Sequence, residues 1–135
     1  SAVLDYRLRF LPEEVFDSKA EIDGFNLTDI FCLIANLESQ IYLPQWKNLA
    51  ADPAAKIDTL DAGGWAKEWT NEHQDPKAAL QEFDRSRMAS LEILTGLIQP
   101  RQSPDINQPA LAEQIAHVSV QDRNFLRQAW KIVNI

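Results

Sequence analysis

Cysteine, histidine, glycine and long apolar runs are all scarce in this chain of 135 residues. A single cysteine, Cys32, excludes an internal disulfide and fits a reducing compartment. No run approaches the roughly 20 apolar residues of a membrane-spanning helix. The opening segment, Ser1 to Arg9, lacks the apolar core of a signal peptide. Together these predict a cytoplasmic protein with no membrane partner. No P-loop, dinucleotide motif or Ser-His-Asp set is present. Basic residues are outnumbered 13 to 20 by acidic ones, for a net charge of −7. Such a surface repels phosphate, so nucleic acid is not an expected partner. Arg123, Arg127 and Lys131 follow one another at four-residue spacing and read as the solvated back of a helix.

What is present is helical punctuation. The length suits one domain over residues 1–135, with a core large enough to hold without staples. Gly and Pro gather between periodic segments, at Pro44, Pro53, Gly63-Gly64, Pro76, Pro100, Pro104 and Pro109. No strongly alternating strand pattern and no internal repeat occur. A short first helix is expected over residues 3–10, with a break and a helical turn at Leu11 to Phe16. Asn26 caps a second helix, whose stripe is Leu27, Ile30, Phe31, Ile34, Leu37 and Ile41. Pro44 is expected to end that helix near Leu43. A long irregular connection follows, from Gln45 to Asp75, with a helical turn expected over Gly64 to Asn71, and Trp46, Trp65 and Trp69 are expected to pin it to the core. A third helix starts at Pro76, uses Leu80, Phe83, Leu91, Leu94 and Leu97, and stops before Pro100. Arg87 lies on or beside its stripe.

The fourth helix, Pro109 to Val133, carries the most unusual placement. Leu111, Ile115, Val118, Phe125, Leu126, Ala129, Ile132 and Val133 share one side of a 3.6-residue wheel. Asp122 falls in the middle of that side and Gln121 on its margin. A carboxylate aimed at a core must be paired or hydrogen-bonded, with Asn36, Arg87 or a backbone group as candidates. Four amphipathic helices without a sheet predict an all-α, antiparallel four-helix bundle.

Two segments resemble the DinB superfamily, whose members include YfiT-like proteins and bacterial thiol-dependent transferases. The first is Phe25-Asn26-Leu27-Thr28-Asp29 through Glu38. The family shows a Trp here, a metal-binding His eight residues later and a Glu five residues after that. Phe25 stands at the Trp position, Glu38 at the Glu position and Leu33 at the His position. The second is Leu111 to Gln128, where the family often reads His-Asp-Arg-Asn-His-x-x-Gln. Asp122, Arg123, Asn124 and Gln128 match, whereas Gln121 and Phe125 replace the two histidines. Phe83, Arg87, Leu91 and Leu94 resemble the third-helix pattern. The resemblance spans about Leu11 to Ile132. It implies a bundle, often dimeric, with a long crossover between helices 2 and 3.

The departures decide the expected chemistry. In family members three imidazoles hold a divalent ion and leave a position open for water or thiol. Leu33 and Phe125 donate nothing, and a Gln121 oxygen is a poor ligand for such ions. The expectation is therefore no cofactor, no metal and no catalytic residue, with Leu33, Gln121 and Phe125 as a degenerate metal site. The favoured function is a non-catalytic binding or assembly module, acting as a homodimer. One alternative is a thiol-dependent metal enzyme with a site relocated to His117, Asp122 and Glu38. Another is a small-molecule binder using the inter-helix cleft, with Glu38, Asn36, Arg87, His117 and Asp122 as its residues and the Trp65–Trp69 segment as its lid.

Overall fold

The computed structural model describes residues 11–16, 21, 24–57, 62–69, 75–99 and 105–134. Among these residues no strand occurs and helix dominates, so the protein is all-α. The expected first helix at 3–10 and His73 lie outside the described residues. A single turn, α1 (Glu13–Phe16), follows Leu11-Pro12. The Val15 N–H donates to the Pro12 carbonyl at 3.1 Å.

Helix α2 (Leu27–Leu37) begins at a reciprocal cap. The Asp29 N–H donates to Asn26 Oδ1 at 2.8 Å, and the Asn26 N–H donates to Asp29 Oδ2 at 3.1 Å. Two of the otherwise orphaned amides of the first turn are satisfied in this way. Gly24 delivers the chain to the cap with φ of 85°, a conformation in which a side chain would be strained. Helix α2 is buried nearly all round, from Leu27 through Ile30, Phe31, Cys32, Leu33, Ile34 and Leu37. A helix apolar on every side belongs at the centre, and both α5 and α6 pack on this one.

Pro44 does not end this helix. The ladder widens into a π segment (Glu38–Tyr42) and continues directly as α3 (Leu43–Ala51), with Pro44 in its first turn. The Leu43 N–H donates to the Glu38 carbonyl five residues back. Proline in an α-helix loses a donor and collides with the carbonyl four residues earlier. A five-residue turn relieves that crowding, so the helix survives its proline. The extra residue also advances the inward row by one. Ile41, expected on the buried stripe, is half-buried, while Glu38, Tyr42, Trp46 and Leu49 face the interior.

The segment from Gln45 to Asp75 is less irregular than expected at its start, where α3 continues, and a further short helix, α4 (Ala62–Glu68), overlaps the helical turn expected over residues 64–71. Helix α5 (Pro76–Leu97) starts as expected, with Asp75 as its cap and Pro76 in the first turn. Its buried face is Ala79, Phe83, Ser86, Arg87, Ser90 and Leu97, whereas Leu80, Leu91 and Leu94 are half-buried. Helix α6 (Gln108–Val133) is capped by Asn107 and buries Leu111, Gln114, Val118, Asp122, Phe125, Ala129 and Ile132. Gln108 Nε2 donates to the Leu97 carbonyl at 3.0 Å, tying the start of α6 to the end of α5. The central helix depends on the Asn26 cap. Replacing Asn26 with Ala should lower stability by about 1 kcal/mol, read by urea denaturation.

Candidate functional site

The polar positions on the inward faces of α2–α3, α5 and α6 meet. Glu38, Arg87 and Asp122 are 1%, 5% and 7% exposed, and they are the buried charged groups among the described residues. Arg87 grips Asp122 with both prongs: Nη1 donates to Oδ2 at 2.9 Å and Nη2 donates to Oδ1 at 3.2 Å. This planar, two-pronged match is what a guanidinium does best. The partner that the placement of Asp122 demands is therefore Arg87. Nη2 also lies 2.9 Å from Glu38 Oε2. That approach is an ion pair by distance without hydrogen-bond alignment, so neither Glu38 oxygen has a hydrogen-bond partner. The Arg87 guanidinium further sits 4.9 Å from the centre of the Phe83 ring, one helical turn back on α5.

Two carboxylates share one guanidinium, and the protonation behaviour follows from that imbalance. Burial raises the Asp122 carboxyl above its ordinary value; Arg87 draws it down, and the neighbouring Glu38 charge adds to the rise. Burial works against the charge of Arg87, but Asp122 and Glu38 together hold it above its ordinary value, so it stays cationic. Tyr42, one turn after Glu38, is raised too, first by burial and then by the Asp122 and Glu38 charges. Its hydroxyl is buried without a hydrogen-bond partner and remains a neutral phenol.

Beside the charge cluster lies a cleft of about 60 Å³. Glu38 and Trp46 line it from the long helix, Arg87, Ser90, Leu91 and Leu94 from α5, and Ile115, Val118, Ser119 and Asp122 from α6. The Ser90 hydroxyl is buried at this wall without a hydrogen-bond partner, whereas Ser119 donates to the Ile115 carbonyl at 3.1 Å. A second, wider groove of about 340 Å³ lies on another side of the long helix, lined by Asn36, Ser39, Gln40, Asp75, Ala79 and Glu82 among others.

Of the residues singled out in the sequence, Glu38, Arg87 and Asp122 come together and Asn36 is drawn away into the second groove. Trp65 and Trp69 stack at 6.4 Å between ring centres, with Phe25 6.3 Å from Trp69, and neither tryptophan lines the cleft. They pin α4 to the start of α2 and form no lid over this site. His117 is half-buried on α6, and it does not line the cleft. Among the described residues no three His, Cys, Asp or Glu side chains gather as a metal-binding set. Leu33 and Phe125 belong to the continuous apolar core, and Gln121 is half-buried. Two of these three positions have no donor atom at all, so a three-imidazole metal centre does not fit them.

Sequence reasoning missed Ser86, Ser90 and Gln114. Their signal is positional: Ala79, Phe83, Ser86, Ser90 and Leu97 keep one face of α5, and small residues there let the helices approach closely. Gln114 donates from Nε2 to Gln45 Oε1 at 3.0 Å, an amide pair joining α6 to α3. No protein-family model, characterised protein or solved structure matches the chain.

Removing Arg87 would strand two buried carboxylates. Arg87→Ala should cost about 3–5 kcal/mol by denaturant titration. The cost should shrink on acidification. Asp122 is more readily protonated in the folded chain than in the unfolded one, so its favourable contribution is present below the ordinary carboxylate value of about 3.9 and is lost as pH rises through the raised value. Replacing all three charges at once, by E38L, R87M and D122L, should be nearly neutral, because no group is then left uncompensated.

Proposed function

We propose that this chain is a metal-free helical binding and assembly module built on a DinB-like four-helix plan. The observation that supports it best is the buried charge triad. Glu38 and Asp122, the two acids that acid–base chemistry would need, both face Arg87. Arg87 stays cationic between them and acts as their fixed counter-charge. On the DinB-like alignment, Glu38 and Asp122 are the retained framework acids, and Leu33, Gln121 and Phe125 stand where the imidazoles would be. Arg87 then supplies the positive charge that a divalent ion supplies elsewhere in that family. The apolar Leu33 and Phe125 fill the vacated volume, and each such side chain stabilises by roughly 1.5–3 kcal/mol when buried.

In the same reading the module pairs as a homodimer, as bundles of this plan often do. Light scattering on the purified chain should give twice the chain mass, and a monomer at micromolar concentration would remove that part of the reading. The metal-free claim is tested by restoring what is missing. A variant carrying L33H, Q121H and F125H should take up one equivalent of Zn or Ni, whereas the parent should hold less than a tenth of an equivalent by mass spectrometry. Stoichiometric metal in the parent would sink the reading. A folded triple variant that binds nothing would sink the proposed correspondence of positions.

A further inference from the structure

We infer that the cleft beside the triad is a site for a small primary ammonium ion with a short alkyl tail. The inference rests on the binding-module reading and names its ligand class. Charge comes first. Glu38 and Asp122 carry two negative charges against the single positive charge of Arg87, in a wall almost free of solvent. One further cation makes the cluster neutral. Unused acceptors come second. Glu38 is 1% exposed, it lines the cleft, and its Oε1 has no hydrogen-bond partner. Ser90 is equally buried, lines the same cleft, and its hydroxyl has no partner. Buried acceptors left unsatisfied are costly, and a native structure rarely keeps two at one wall without an occupant.

The rest of the wall selects among cations. Leu94, Ile115 and Val118 are aliphatic, and Trp46 adds an aromatic surface. A bare alkali ion would lose its hydration here without enough oxygens to replace it. An ammonium group offers three donors to a few acceptors, and its alkyl chain can lie on the aliphatic side. Size bounds the tail. The cleft is about 60 Å³, well below the cavity of roughly 150 Å³ that accommodates benzene. Two to four non-hydrogen atoms fit, with a longer chain emerging at the half-buried rim formed by Leu91 and Leu94.

The test is a titration of the isotope-labelled full chain with propylammonium chloride, followed in two-dimensional proton–nitrogen spectra. Potassium chloride and 1-propanol at matched concentration are the controls. Saturable shifts should appear at the amides of Ser90, Leu94 and Ser119 and at the Trp46 indole. A dissociation constant on the order of 1 mM is the scale expected for so small a ligand. Ser90→Ala leaves the triad intact and should weaken binding by up to about tenfold. Glu38→Gln should weaken it further, and Leu94→Phe, which fills the cleft away from the charges, should abolish it. Shifts that are linear, equalled by potassium or propanol, or unaffected in all three folded variants would overturn the proposal and leave water as the occupant. Failure here with a metal-free parent chain removes only the ammonium site. Stoichiometric metal in the parent would remove the binding-module reading itself.

Discussion

One guanidinium between two carboxylates sets the terms for everything around it. Taking three charges out of water costs several kcal/mol for each ion, even after the protein relaxes. Against that stand two attractions and one repulsion. Each interaction is about 4 kcal/mol at 4 Å separation in a medium of effective dielectric near 20. The attractions offset only part of the desolvation, so the triad is not what stabilises the fold. The apolar core, from Leu27 and Phe31 to Phe83 and Leu111, holds the protein together, and the triad holds three helices in one register. Arg87 can satisfy Asp122 with both prongs only if α5 and α6 stand at one height, and it reaches Glu38 only if the long helix does too. A sliding error of one residue in any of the three breaks an ion pair inside a dry interior, and that penalty is much larger than the net gain from forming it.

The π segment is the backbone's half of the same arrangement. Without the wider turn, the row that buries Leu27, Ile30, Ile34 and Leu37 would continue to Ile41, Gln45 and Asn48. Glu38 is already on the inward face, four residues after Ile34; with the wider turn Tyr42, Trp46 and Leu49 follow it inward. Pro44 is the covalent reason for the widening, because it removes a donor from the ladder where the turn relaxes. The wider turn at this proline therefore brings an indole to the wall of the cleft that Glu38 also lines. Segments of this kind are found disproportionately at functional sites, since they aim side chains that a regular helix would leave elsewhere.

Much of the fold was legible in the sequence because it rests on local rules. The Asn26 cap, the Pro76 start of α5 and the apolar face of α6 follow from capping chemistry and from a 3.6-residue period. Asp122 was legible as an anomaly, since a lone acid on an apolar face demands a partner. Two features were not legible. The continuation through Pro44 depends on a wider turn that no propensity encodes, and the long connection was accordingly read as irregular. The inward face of α5 was read too far toward Leu80, Leu91 and Leu94. Hydrophobic periodicity weights large aliphatic residues, while this face is set by Arg87 reaching across to α6 and by serines that allow close approach.

Those serines and the surplus carboxylate point the same way. The register of α5 against α6 needs one acid for one arginine, as Asp122 and Arg87 already provide. Glu38 adds a second negative charge, burial and charge repulsion with Asp122, and it forms no hydrogen bond in return. Ser90 likewise spends a buried hydroxyl where alanine would pack as well. Glu38 serves the register of the long helix through Arg87, but its unbonded Oε1 and the Ser90 hydroxyl are explained neither by the core nor by the cap chemistry of their helices. Both are explained by a positively charged donor arriving in the cleft they share. On that argument the triad is the fixed part of a four-charge arrangement, and the cleft is the place kept for the fourth.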